Sequence, residues 1–130
     1  MDWYYPVLTG CLVGEPAKIR LADGWAEFAM EERGIRCVSD EPWITASETA
    51  ECAIAHAAIG DVDTATDLVC WTRPHRRHDG AYYTGLVYPG QVRFPADEVS
   101  AYTGAAVILA ADAIDGASAA SGVFVPRCYI

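Results

Sequence analysis

Four aromatic residues, Trp43, Tyr82, Tyr83 and Tyr102, are the side chains of this sequence best suited to face a ligand. Aromatic faces attract positive charge, so a surface built from them could stabilise a carbocation or hold a hydrophobic small molecule. The same residues could instead lock one helical hairpin against the next. Asp79 and Glu98 lie near them in the chain. Two carboxylates flanking an aromatic cleft are what glycoside cleavage requires.

Other groups carry less. Asp61-Val62-Asp63 follows Gly60 directly, and helix capping accounts for both aspartates. Cys52 and His56 are one turn apart on a predicted helix and share a face, but no third ligand has a place beside them, so a core histidine is expected rather than a metal site. Arg73, His75, Arg76, Arg77 and His78 form the basic cluster. Arginine forks suit phosphate oxygens, yet positive charge at a helix C-terminus is favoured by the macrodipole in any case. Glu48 and Glu98 each precede a buried helix and read as caps. No cysteine has a base beside it in sequence, so nucleophilic catalysis is not supported. The expectation is no metal, no cofactor and no assignable catalytic residue.

The elements that must position these groups are helical. Leu12-Val13-Gly14-Glu15, Ala58-Ile59-Gly60-Asp61 and Ile114-Asp115-Gly116-Ala117 repeat one pattern: an apolar segment, a glycine, then a residue that opens the next segment. Glycine past a helix takes the left-handed C′ conformation, and a following Asp or Ser caps the next helix. Hairpins are therefore predicted at about 6–33, 45–72 and 98–122. The second and third align without gaps, Ala46, Ala50, Ala55 and Ile59 meeting Ala101, Ala105, Ala110 and Ile114. Thr45-x-x-Glu48 has the spacing of a capping box, and the helix over 45–59 keeps little polar face, as a buried helix does. A second helix over 18–32 places Leu21, Trp25 and Phe28 on one stripe. Pro74, Gly80, Gly85, Pro89-Gly90 and Pro95 exclude helix from most of 73–97, which reads as one long irregular, aromatic-rich loop.

The 130 residues fit one domain, and 52% hydrophobic composition supplies a core. A net charge of −9 repels phosphate backbones and disfavours nucleic acid as a partner. No apolar run has the length of a membrane span, and Asp2 replaces the basic start of a signal peptide. Five widely spaced cysteines without a Cys-x-x-Cys pair favour reduced thiols and a cytoplasmic location.

The run Arg77-His78-Asp79-Gly80-Ala81-Tyr82-Tyr83-Thr84-Gly85, with Phe94-Pro95, the segment 102–113 and Arg36-Cys37-Val38-Ser39-Asp40-Glu41-Pro42-Trp43-Ile44-Thr45, resembles the C-terminal part of bacterial prenyltransferase and squalene/terpene-cyclase-like proteins. The resemblance implies an all-α fold: an incomplete (α/α) toroid over 1–130, with about three hairpins of a ring that has roughly twice as many or more. It also implies isoprenoid chemistry. The Asp-x-Asp-Asp acid of such cyclases is not intact here, since Asp61-Val62-Asp63-Thr64 lacks the second adjacent aspartate. Repeat units without neighbours expose core surface, so either a truncated protein or one completed by self-association or another chain is expected. Two alternatives stand beside this reading: a non-catalytic helical-repeat binding module, and a carbohydrate-active α/α-toroid enzyme using Asp79 and Glu98.

Overall fold

The computed structural model of the chain describes residues 2–125. A short helix α1 (Tyr5–Leu8) precedes α2 (Gly14–Phe28), which runs into a two-stranded antiparallel ribbon of β1 (Ala29–Met30) and β2 (Gly34–Ile35). Then come β3 (Trp43–Thr45), α3 (Ala46–Ala58) and α4 (Val62–Trp71). A single 3₁₀ turn (Arg73–His75) leads to the hairpin of β4 (Gly85–Val87) and β5 (Val92–Arg93), followed by α5 (Ala101–Asp115) and α6 (Ser121–Phe124).

Helix α3 is the axis of the molecule, packed between α4 and α5 and touched by α1. Ala50, Cys52, Ala53, Ala55 and Ala57 are all buried along it, and small side chains let neighbouring helices approach closely. Polar side chains fix where the helices start. Thr45 Oγ1 accepts from the Glu48 N–H at 3.4 Å, Asp61 Oδ1 from the Thr64 N–H at 3.3 Å, and Ser100 Oγ from the Thr103 N–H at 3.1 Å. Gly116 ends α5 in the left-handed conformation, φ 63°, its N–H reaching the Asp112 carbonyl at 2.7 Å.

The chain is not all-α. β3, β4 and β5 form a three-stranded antiparallel sheet, with Trp43 opposite Val87, Ile44 opposite Leu86 and Thr45 opposite Gly85. Ile44, Leu86 and Tyr88 bury a second small core under it, with Met30 packed alongside. His75 is fully buried and its Nε2 lies 3.3 Å from the Ile44 carbonyl, tying the end of the 3₁₀ turn to β3. Strands of two and three residues are too short to show the alternation by which strands are read. The prolines and glycines of 73–97 exclude helix, but they are equally at home beside hairpin strands.

The toroid also fails. In the predicted hairpin 6–33, the helix stops at Phe28 because Ala29 turns extended (φ −80°, ψ 135°) and enters β1. In 98–122, α5 is followed only by the four-residue α6. Helix α3 packs against both α4 and α5, and the chain between the helices pairs into two small sheets.

Among the described residues, no helix is long and apolar enough to cross a membrane. Cys11, Cys52 and Cys70 carry free thiols; Cys128 lies outside the described residues.

Candidate active site

Two glutamates, Glu48 and Glu51, occupy the first turns of α3, a helix with few other polar positions. Residues three apart on a helix are neighbours on one face. Their surroundings differ.

Glu51 accepts hydrogen bonds from three phenols. Tyr4 OH donates to Oε2 at 2.9 Å and Tyr5 OH to the same oxygen at 3.1 Å, while Tyr102 OH, from α5, donates to Oε1. Tyr4 is completely buried and stacks edge-on against both Trp3 and Tyr5. Burial, then the Glu51 charge, pushes the Tyr4 phenol well above its ordinary value. Tyr5 moves the same way for the same causes. For Tyr102 the hydrogen bond to Glu51 is the main cause, with burial second. All three phenols therefore keep their protons and remain donors. Beside them a largely apolar recess of about 140 Å³ is walled by Leu8, Ile54, Tyr102, Leu109 and Phe124, with Glu51 at its edge.

Glu48 is a different acid. Its Oε1 accepts from the Cys37 thiol at 3.6 Å, and its Oε2 is buried without a hydrogen-bond partner. Burial raises the Glu48 carboxyl above its ordinary value, and the nearby Glu51 charge raises it further; the Cys37 thiol partly offsets this. Cys37 is itself pushed up to about 11, by burial and then by Glu48, so it stays a thiol and a donor. Two carboxylates one turn apart, one half-desolvated and one dressed by three hydroxyls, form a polarised pair suited to acid–base work.

Of the residues singled out in the sequence, Tyr102 reaches this centre. Trp43 packs edge-on against Phe94, its Nε1 donating to the Phe94 carbonyl at 3.2 Å. Tyr83 lies under Arg93 at 4.1 Å and Arg77 at 5.7 Å, and Tyr82 packs against the main core. Asp79 pairs with Arg77 at 3.0 Å and caps its own turn through the Ala81 N–H at 3.1 Å. Glu98 accepts from the Thr84 hydroxyl at 2.7 Å. Asp79 and Glu98 thus have separate partners, and no hydrogen bond or ion pair joins them among the described residues.

His56 turns its Nδ1 to Asp61 at 3.0 Å rather than to Cys52. Burial lowers its pKa and outweighs the pull of Asp61, so it is the neutral ring. Among the described residues no group of three or more His, Cys, Asp or Glu stands together as metal ligands would.

Sequence reasoning passed over Glu51, Tyr4, Tyr5 and Cys37. The available signal was two glutamates at helical spacing on a helix otherwise built of Ala, Ile and Cys. The capping-box expectation for Glu48 holds by half. Its N–H does meet Thr45, but its carboxyl goes to Cys37 and does not return to the Thr45 backbone.

No protein-family model matches the chain. The chain is 45% identical over 124 residues to the MMP endo-(1,4)-3-O-methyl-alpha-D-mannosidase of Mycolicibacterium hassiacum, a match that covers 95% of this chain and 34% of that protein. This likeness overturns the resemblance to prenyltransferases and terpene cyclases, and with it the expectation of isoprenoid chemistry. It favours the carbohydrate-active alternative, without the toroid. The chain spans about a third of the length of the curated relative it matches.

Proposed function

We propose that this chain is part of a glycoside hydrolase acting on (1,4)-linked 3-O-methyl-α-D-mannose, with Glu48 and Glu51 as its carboxylate pair. The observation that carries the reading is the 45% identity across nearly the whole chain to a mannosidase of that linkage.

In this reading Glu48, whose carboxyl burial raises above its ordinary value, acts as the acid that gives a proton to the glycosidic oxygen as the bond from C1 to that oxygen breaks. Glu51 faces the positive charge that develops at C1. Water supplies the hydroxyl that ends on C1, and its proton returns to the carboxylate pair. Tyr4 and Tyr5 hold the Glu51 carboxylate in place, and Tyr102, more open to solvent, presents its ring to the sugar. Trp43, Tyr82 and Tyr83, with Asp79 and Glu98, flank the three-stranded sheet and are our candidates for more distant sugar contacts.

The test is incubation of the chain with a (1,4)-linked 3-O-methyl-α-D-mannose oligosaccharide, following binding and the release of shorter oligomers. Glu48→Gln and Glu51→Gln should each slow release by about 100-fold or more, the usual worth of a general acid or base, while oligosaccharide binding persists. A chain that neither binds nor cleaves the oligosaccharide, or variants that cleave at the native rate, would sink the proposal.

A further inference from the structure

At the far end of α3 from the glutamates, a cleft of about 470 Å³ opens between α2 and the turn after α3. One side is apolar, made by Leu21, Ala22, Trp25 and Ile59; the other carries Lys18 and Asp61. The tryptophan is immobilised. Its Nε1 donates to Glu31 at 3.0 Å, and its ring meets His56 at 5.4 Å, nearly perpendicular, and Trp71 at 6.3 Å. Because that N–H is already bonded, Trp25 offers a ligand an apolar wall and no donor. Asp61 is fixed as well, Oδ2 by His56 Nδ1 at 3.0 Å and Oδ1 by the Thr64 N–H at 3.3 Å. An ionised carboxylate accepts about four hydrogen bonds, so Asp61 keeps acceptor capacity for a ligand. Lys18 is exposed and only loosely paired, 3.7 Å from Glu15.

This division of the walls selects among sugars. A pyranose has a C–H face that suits an aromatic wall and hydroxyls that suit a carboxylate and an ammonium. His56 also lines the cleft, its Nε2 buried without a partner and available to one hydroxyl. Away from that nitrogen, a hydroxyl of an unmodified sugar pressed against Leu21 and Ile59 would be buried with no partner, which is costly. Methylation at one oxygen removes that donor and replaces it with apolar surface, which gains by burial.

We infer that the cleft between Trp25 and Asp61 is a sugar-binding subsite, separate from the Glu48–Glu51 pair, that prefers an O-methylated mannopyranose. Its methyl group and C–H face lie toward Trp25, Leu21 and Ile59, and its free hydroxyls toward Asp61 and Lys18. The choice of sugar rests on the function proposed above; the amphipathic cleft is a feature of the fold.

The test follows the indole N–H signals of the whole chain by NMR while methyl 3-O-methyl-α-D-mannopyranoside, then methyl α-D-mannopyranoside, is titrated in. The Trp25 signal should move saturably, at about fourfold lower concentration for the methylated glycoside, the worth of one buried methyl-sized group. Ala22→Phe, an exposed helix position on the cleft wall, should fill the space and abolish the Trp25 response without unfolding the chain. Glu51→Gln should leave that response intact. A silent Trp25 while the Tyr102 ring signals respond would overturn the subsite and leave the proposed function standing. Equal or stronger binding of the unmethylated glycoside would overturn the preference. Silence at both places, together with no binding or cleavage of the oligosaccharide, would overturn both proposals.

Discussion

On α3, Glu48 and Glu51 stand one turn apart and meet opposite surroundings: Glu51 collects hydroxyls from Tyr4, Tyr5 and Tyr102, while Glu48 has one thiol donor and a buried, unpartnered oxygen. A helix that spent these positions on stability alone would gain by replacing Glu48, since a half-buried carboxyl without full hydrogen bonding is a liability. Liabilities of this kind cluster where chemistry is done.

The first prediction concerns pH. The Glu48 carboxyl is raised by burial above its ordinary value of 4.5, so the folded chain holds that proton more tightly than the unfolded chain. Stability from this group is fully present below pH 4.5 and is lost as pH rises through the folded value, where the folded state must carry the charge. Glu48→Gln cannot ionise. Urea unfolding at a series of pH values should therefore show the variant gaining on the native protein as pH rises from 4 to 7. Titrations elsewhere, such as that of His56, are common to both proteins and cancel in the difference. A difference independent of pH would show that Glu48 is not the desolvated acid described here.

Much of α3 was legible in advance, and the reasons are local. Ala50, Ala53, Ala55 and Ala57 leave little polar face, so the helix has to be buried, and Thr45 and Asp61 cap their helices as their positions suggest. The glycine signals after Ile59 and Asp115 also hold, Gly60 and Gly116 both having positive φ. The sheet was hidden because its pairing is long-range. Nothing in Trp43-Ile44-Thr45 announces Gly85-Leu86-Val87 as its partner, and three residues carry too little periodicity to be told from loop. The site was hidden for the same reason. Glu51 acquires its meaning from Tyr4 and Tyr5 at one end of the chain and Tyr102 toward the other. Tyr102 was visible as one of four aromatics suited to face a ligand; its carboxylate partner was not.

The tyrosine clasp yields a second prediction. Tyr102 joins α5 to α3 through Glu51 alone among its hydrogen bonds in the described residues. Tyr102→Phe keeps the ring and removes the bond, and should cost about 1 kcal/mol, below the ~1.5–3 kcal/mol of a bond to a charged group because Tyr102 is largely exposed. In the Glu51→Gln background the same change should cost clearly less. A double-mutant cycle by denaturant unfolding should return a coupling of about 0.5 kcal/mol or more. Strict additivity would mean that the two groups do not stabilise each other in solution.

Gly85 supplies the third prediction and tests the sheet itself. A Cβ at this position would run into the Trp43 indole nitrogen and lie 2.9 Å from the Ile44 carbonyl and 3.0 Å from the Phe94 carbonyl. The indole can move, at the loss of its 3.2 Å hydrogen bond to Phe94; the two carbonyls belong to the backbone of β3 and of the segment after β5 and cannot. Gly85→Ala should therefore destabilise the chain by about 1–3 kcal/mol, the usual cost of overpacking, with a change in Trp43 fluorescence. Adding Trp43→Phe should recover only part of the loss, because it clears the indole and leaves both carbonyls in place. Full recovery would assign the clash to the side chain alone. A Gly85→Ala protein as stable as the native one, with unchanged Trp43 emission, would mean that β3 and β4 do not pair with Thr45 opposite Gly85, and the fold described here would have to be redrawn at that sheet.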